Sequence, residues 1–388
     1  MPIEICKKED CTGCLACMNI CPKDAISCGL DEYDKTVPVI DQEKCVECGM
    51  CRRVCPVCMS GNFRQPEECY AAWAKDEEER KECSSGGIAT ELSKAVIRDG
   101  GIVYGAAFDE ELTLCHKAAR TEKDLQALKG SKYVQSYVGF SYREIKELLK
   151  KGKKVLFIGT PCQVAGLRSY LGKEEKNLLM IDLICHGTPP VEYLKAHVKS
   201  IDREERASDL TFRGKYNFFL TLYEKGKVFY SEKSEKDYYF LGFLKGLIYR
   251  DNCYTCRYAT QKRCSDITIG DFWGLDRSTL AHPYEGRIST VLINTENGKA
   301  AWEKYRELFI YEKRSVQESV EGNAQLRKPS ICHPDREQFR TVYRETKSFE
   351  KAVRTSGMKK EIRKNRIKDI YCIRLLRKLK MRLKKIKR

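Results

Sequence analysis

Eight cysteines within the first 55 residues repeat one spacing, Cys11-x2-Cys14-x2-Cys17-x3-Cys21-Pro22 and then Cys45-x2-Cys48-x2-Cys51-x3-Cys55-Pro56. So short a stretch cannot bury enough apolar surface to fold alone, so whatever these thiols bind must supply the missing stability. Three thiolates at this spacing grip three corners of a four-iron cube on one tight loop, and the fourth cysteine of each run serves the other cube. The expected ligand sets are Cys11, Cys14, Cys17 and Cys55 for one [4Fe-4S] cluster, and Cys45, Cys48, Cys51 and Cys21 for the second. Structural zinc uses two C-x2-4-C pairs set well apart, and two triplets each closing on Cys-Pro would leave it surplus thiols. A disulfide framework needs an oxidising compartment, yet Met1 is followed by Pro2, Ile3 and Glu4 rather than by the basic and apolar stretches of a secretory signal. The expected setting is a reducing, anaerobic cytoplasm.

Between the two runs, Asp31 to Lys35 is turn-like, and Val37, Val39 and Ile40 suit a short strand. Residues 1–62 are therefore read as a ferredoxin-type two-cluster domain, 63–82 as a connector with a charge run at Glu77 to Lys81, 83–345 as an α/β body, and 346–388 as a helical tail. The expected fold class is mixed α+β and α/β. A length of 388 residues and a mean hydropathy of −0.53 suit a globular chain. No apolar run approaches the ~20 residues of a membrane-spanning helix.

The net charge of +17 is concentrated at one end: from Gly357 to Arg388 there are fifteen basic residues against Glu361 and Asp369. Leu375, Leu376, Leu379, Leu383 and Ile386 share one arc of a helical wheel, with Lys378, Lys380, Arg382, Lys384 and Lys385 opposite. Such a helix either packs its leucine stripe on protein or lies on an anionic membrane surface. Nucleic acid is not the expected partner, because the tail lacks interleaved aromatics and no nucleic-acid module accompanies it.

Within the body, Ser84-Ser85-Gly86-Gly87 precedes a helix over 88–98, so it is either a capping turn or a seat for phosphate on exposed backbone N–H groups. Strands are expected at 102–108 and 112–118, and a short helix at 122–128. The loop Gly130-Ser131-Lys132-Tyr133-Val134-Gln135-Ser136 suits either a nucleotide or isoalloxazine contact or a plain surface turn. A strand at 155–158, a turn through Thr160 and Pro161, a helix at 163–171 and a strand at 178–184 make a βαβ unit, in which ligands bind beyond the carboxyl ends of the strands. Parallel pairing brings Cys162 and Cys185 to one edge. With Cys253 and Cys256, four thiols from three turns could hold a third [4Fe-4S] cluster; alternatively Cys162 and Cys185 are buried apolar fillers and the C-x2-C pair binds zinc with Cys264.

Taken together, Gly130-Ser-Lys-Tyr, Gly159-Thr-Pro-Cys-Gln, Leu183-Ile-Cys-His-Gly, and Cys253-x2-Cys256 followed by Ser265-Asp-Ile-Thr-Ile-Gly-Asp-Phe-Trp-Gly resemble the family of coenzyme F-420 hydrogenase/dehydrogenase beta subunits over about residues 80–345. The resemblance implies an FAD-binding body with one cluster beside the flavin, in a fold whose relatives reduce a deazaflavin, oxidise formate in complexes or reduce chlorophyll derivatives. It makes Ser84, Ser85, Gly86, Gly87, Gly130, Ser131, Lys132, Tyr133, Gln135 and Ser136 flavin contacts, with Thr160 and Pro161 nearby. Cys162, Cys185, Cys253 and Cys256 become ligands of the third cluster, with Cys264 the alternative fourth. The N-terminal two-cluster domain and the basic tail depart from the simplest relatives.

The implied path runs from a redox donor protein or complex through the clusters to FAD, which turns one-electron arrivals into a two-electron step on a small-molecule acceptor. The alternative is a subunit that only relays electrons within a larger complex. No side chain stands out as catalytic acid; His186, beside Cys185, is the candidate and is read first as a hydrogen-bond partner of a cluster sulfur.

Overall fold

The computed structural model of the protein describes residues 4–370 except 60, 62, 215 and 216. In chain order its strands are β1 Ile26–Leu30, β2 Thr36–Ile40, β3 Glu68–Ala74, β4 Ile102–Phe108, β5 Leu114–Ala119, β6 Val155–Gly159, β7 Leu178–Leu183, β8 Asp209–Arg213, β9 Phe218–Glu224, β10 Lys227–Lys233, β11 Ile267–Asp271, β12 Ser289–Ile293 and β13 Phe309–Arg314. The described residues form two compact units, 4–191 with 249–331, and 192–248 with 332–370.

The first unit is built on an eight-stranded sheet in the order β13-β3-β12-β11-β7-β6-β4-β5. Its centre, β4, β6, β7 and β11, is parallel, and antiparallel strands flank it on both sides. These strands read as continuous apolar runs because both faces are covered. Side chains alternate between the covers: Ile102, Tyr104, Val155, Phe157, Leu178 and Met180 face one core cluster, while Val103, Leu156, Leu179 and Ile181 face the other. The helices Ile88–Arg98 and Pro161–Leu171 close the two faces.

The cysteine-rich segment docks into this core. Its hairpin β1–β2 is antiparallel, with the Asp31 carboxylate accepting from the Tyr33 and Lys35 N–H groups in the turn. Cys14 and Ala16 belong to the same apolar cluster as Tyr104, Tyr142 and Phe157. Arg143 donates to the carbonyls of Met18, Asn19 and Cys21, which fixes the end of the helix Ala16–Ile20.

Residues 63–82 are more than a connector. Glu68–Ala74 is an interior strand, paired on one side with β12 and on the other with β13. The run Cys-Tyr-Ala-Ala-Trp-Ala is buried from Cys69 to Ala74 and lacks the apolar-polar alternation that marks a strand in a sequence.

The second unit pairs the antiparallel sheet β10-β9-β8 with the helices Val191–Ile201, Tyr238–Leu244, Arg336–Thr346 and Phe349–Thr355. Tyr193, Phe339, Tyr343 and Phe349 form its aromatic centre. Residues 346–370, read from the sequence as part of a tail, pack here instead. Phe349, Ala352, Val353, Met358 and Ile362 are buried, Asn365 donates to the Glu235 carbonyl at 2.8 Å, and Glu361 pairs with Lys245 at 2.6 Å. The leucine stripe and the lysines expected between Leu375 and Ile386 lie outside the described residues. Among the described residues, no helix is long and apolar enough to cross a membrane.

His197 sits inside this second unit, 2.8 Å from an Asp237 oxygen and 3.9 Å from one of Glu350. Burial disfavours its charged form, but the two carboxylates outweigh it and raise its pKa to about 9. The stabilisation is complete below the unfolded value of about 6.5 and is lost as pH rises through about 9. Urea titrations of the full chain should therefore show stability falling between pH 6.5 and 9, and His197→Gln should remove that slope.

Candidate functional site

The two cysteine triplets repeat a backbone device as well as a spacing. Gly13 and Leu15 in the first, and Glu47 and Gly49 in the second, adopt left-handed conformations with φ of 65, 58, 50 and 70° in that order. These reversals wrap each loop before the helices Ala16–Ile20 and Met50–Arg53 begin. Cys21, Cys45, Cys48 and Cys51 line one hollow together with Ile26, Ile40 and Met50. Among the described residues, no three His, Cys, Asp or Glu side chains close on a point as ligands of a single ion would. The thiols ring a space instead, which suits a four-iron cube.

The other expected set also converges. Burial raises the thiols of Cys14, to about 12, and Cys17, and the negative charges of Cys11 and Cys55 add to both shifts. Cys11 and Cys55 are pulled down first by hydrogen bonds from Cys6. Cys14 and Cys17 thus resist ionising in their apolar setting, and the charge of bound iron would supply the missing counter-charge.

At the carboxyl ends of the parallel strands, Cys162 opens the helix after β6 and Cys185 follows β7. Burial raises both thiols, and each also feels Cys253 and Cys256, so all four share one electrostatic neighbourhood. Cys264 is buried too, but its thiol donates to the Pro161 carbonyl at 3.3 Å and its charged neighbours are Asp182, Arg263 and Arg168. His186 is exposed, and its carbonyl accepts from Ser330 Oγ.

The two small-residue loops meet. The Ser131 N–H donates to Ser84 Oγ at 2.6 Å, Ser289 Oγ donates to Ser85 Oγ at 2.9 Å, and Arg287 donates to the Ser84 carbonyl. At Gly86 a Cβ would stand 2.4 Å from the Ala72 carbonyl, so only glycine lets the turn pass this close to β3. The helix that follows has no side-chain cap at Gly87, which leaves its first N–H groups open to an anion. Lys132 turns back instead and donates to the carbonyls of Ala127, Leu128 and Lys129; Gly130 and Tyr133 complete the half-exposed rim.

Gln135 and Ser136 point inward. Gln135 is buried and donates to the Thr12 carbonyl at 3.2 Å. Ser136 Oγ accepts from Gln163 Nε2 and donates to Nδ1 of buried His116, whose Nε2 donates to the Ile158 carbonyl. Burial lowers the His116 pKa to about 4, which keeps the ring neutral. Gln163 Oε1 in turn accepts from the Thr160 N–H and hydroxyl, and Thr160 Oγ1 lies 3.2 Å from Cys162 Sγ. One buried polar chain thus anchors the 130–136 loop to the turn that carries Cys162.

Tyr142, Tyr258 and Gly166 bridge the cysteine sets, and sequence reasoning missed all three. Burial raises the Tyr142 and Tyr258 hydroxyls first, and Cys14 and Cys162 add to both shifts, so each hydroxyl lies near a thiol of both sets. A Cβ on Gly166 would lie 2.9 Å from Cys14 Cβ, 3.0 Å from its Sγ and 3.0 Å from Tyr142 Oη. A glycine in a helix interior is the one available signal, since it costs helix stability and needs a packing reason.

Residues 69–139 match the N-terminal part, and residues 152–318 the C-terminal part, of the coenzyme F420 hydrogenase/dehydrogenase beta subunit, while residues 10–59 match a 4Fe-4S dicluster domain. The chain is an iron-sulfur protein of the oxidoreductase class. It belongs to the family of coenzyme F420 hydrogenase/dehydrogenase beta subunits, with a 4Fe-4S dicluster domain at its N-terminal end. An uncharacterized protein of Methanocaldococcus jannaschii is 25% identical over 84% of this chain and 96% of its own length. The F subunit of the F(420)H(2) dehydrogenase of Methanosarcina mazei is 25% identical over 47% of this chain and 55% of its own. A chain in the F420-reducing [NiFe] hydrogenase complex of Methanosarcina barkeri covers 76% of this chain and 94% of its own at 20% identity and a TM-score of 0.45.

The close approach at Gly166 gives a direct test. Gly166→Val should displace Cys14 and lower the iron content by about four per chain, the loss of one cube. Iron and acid-labile sulfide analysis of the full chain reads this out.

Proposed function

We propose that the chain is an iron-sulfur flavoprotein oxidoreductase that passes electrons from a low-potential donor protein or complex, through two N-terminal [4Fe-4S] clusters and a third in the body, to FAD. From there they reach a deazaflavin, coenzyme F420, or another small organic acceptor. The observation that carries this reading is the packing of Cys14 against Gly166, one turn after Cys162 on the helix Pro161–Leu171, which brings a thiol of each set to one helix face. Bound FAD supplies the conversion between single electrons and a two-electron hydride step.

The chain's own residues divide the remaining work. Cys11, Cys14, Cys17 and Cys55, then Cys45, Cys48, Cys51 and Cys21, hold the N-terminal clusters, and Cys162, Cys185, Cys253 and Cys256 hold the third. Ser84 to Gly87 offer an uncapped helix end to the cofactor diphosphate, beside Gly130, Ser131 and Tyr133. Gln135, Ser136 and Thr160 act from behind by fixing that rim, Pro161 follows at the first position of the helix, and Lys132 steadies the turn beneath the rim. A second reading, a relay subunit that does no chemistry of its own, is favoured by the relative named as one subunit of an F(420)H(2) dehydrogenase. The basic segment beyond residue 370 is the proposed contact with an anionic membrane surface, at the inner face of the cell membrane.

Anaerobically reconstituted full chain should hold about twelve iron and one flavin; about eight iron with no flavin leaves only the relay. Cys256→Ser should lose about four of those irons, whereas Cys264→Ser should keep all of them. Residues 371–388 hold nine basic and no acidic side chains. A chain ending at Ile370 should keep its cofactors and lose binding to anionic vesicles in a flotation assay, and unchanged flotation would reject the membrane contact.

A further inference from the structure

Arg250 is a buried cation that none of the roles above uses. It is 2% exposed and lies three residues before Cys253, at the N-cap of the short helix Asp251–Tyr254. Its guanidinium reaches out of the body and into the N-terminal cysteine loop. Nη2 donates to the Cys11 carbonyl at 2.9 Å and to the Thr36 carbonyl at 3.0 Å, Nη1 to Gln135 Oε1 at 2.6 Å, and Nε to Asn252 Oδ1 at 3.3 Å. Its own backbone N–H is held by the Thr188 carbonyl.

All four side-chain partners are neutral, so the hydrogen bonds satisfy the guanidinium without cancelling its charge. A buried charge left this way is costly unless a negative group lies close by. The neighbouring Lys35 pairs with Asp31 and Asp251, so the carboxylate next to Arg250 in sequence is engaged elsewhere. The bond to the Cys11 carbonyl sets the charge against the first N-terminal set, and its N-cap position keeps it on the short helix that carries Cys253 of the set in the body.

We infer that Arg250 is a positioning residue that sets the reduction potential of the cluster held by Cys11, Cys14, Cys17 and Cys55, by holding an uncancelled positive charge against the Cys11 loop. This rests on the reading that those four cysteines ligate a [4Fe-4S] cluster. The step it acts on is a one-electron reduction, in which the cube passes from 2+ to 1+ on taking one electron from the low-potential donor, with no bond made or broken and no proton moved. The added electron makes the thiolate-ligated cluster more negative, and a fixed cation in a low-dielectric interior favours that reduced form. Arg250 therefore raises the potential, and removing its charge lowers it. Gln135, which the sequence suggested as a flavin contact, becomes one of the residues that aims the guanidinium.

The test is a mediated redox titration of the reconstituted full chain, followed by electron paramagnetic resonance and paired with iron analysis. Three variants separate charge from packing. Arg250→Gln removes the charge, Asn252→Asp leaves Arg250 in place but pairs it with a carboxylate, and Arg250→Lys keeps the charge without the fork. The first two should lower one cluster's midpoint so that its reduced-to-oxidised ratio at fixed potential drops at least tenfold, equivalent to about 59 mV for one electron. Arg250→Lys should stay within that margin. If Arg250→Gln fails to hold iron, Asn252→Asp decides alone. Unshifted midpoints at full iron content would overturn the role of Arg250, whereas a Cys11→Ser chain that keeps the full iron content of the wild type would instead overturn the ligand assignment beneath it.

Discussion

The packing of the Cys11–Cys17 loop into the apolar core of the sheet is the constraint on which the rest of the first unit depends. Cys14 occupies a place that a methyl group on Gly166 would take, and Ala16 shares the cluster of Tyr104, Tyr142 and Phe157. A cysteine-rich segment of this size has little core of its own, and here it borrows one. The same contact sets the spacing between the N-terminal thiols and those at the carboxyl edge of the parallel strands. Electron transfer needs short, fixed separations, and close-packed side chains supply them better than a linker does.

The clearest parts of the sequence were those governed by short-range rules. The paired cysteine runs, the strands at β4, β6 and β7 and the helix between β6 and β7 follow local periodicity, and the parallel pairing of β6 with β7 follows from the βαβ pattern. What stayed hidden was decided at long range. The strand β3 is recruited to the sheet by β12 and β13, more than 200 residues later, and its alanine-rich sequence carries no alternation. Residues 192–248 and 332–370 form a unit from two separated stretches, and neither announces the other. The charge of the segment after Gly357 obscured the apolar positions Met358 and Ile362, which tie its first turns down.

Candidate site residues divided along similar lines. A loop rich in glycine, hydroxyls and a cation looked uniformly like a contact surface, yet its seven residues face two ways. Ser131 bonds the Ser84 turn, while Gln135 and Ser136 are buried links to Thr12, Gln163 and His116. Residue type reveals hydrogen-bonding capacity; direction comes from the fold. Arg250 shows the converse, a residue with no motif around it whose four partners come from three distant stretches of chain and one neighbour.

Exposure differs among the assigned cysteines. Cys48 is open to solvent and Cys45 half-open, whereas Cys14, Cys17 and Cys253 are buried. The loop that carries Cys48, the most exposed of the assigned thiols, is the one that a second protein and dissolved oxygen meet first. Damage would begin where traffic enters, leaving the inner thiols intact but cut off, so oxidative failure would resemble a broken terminal rather than a dissolved core.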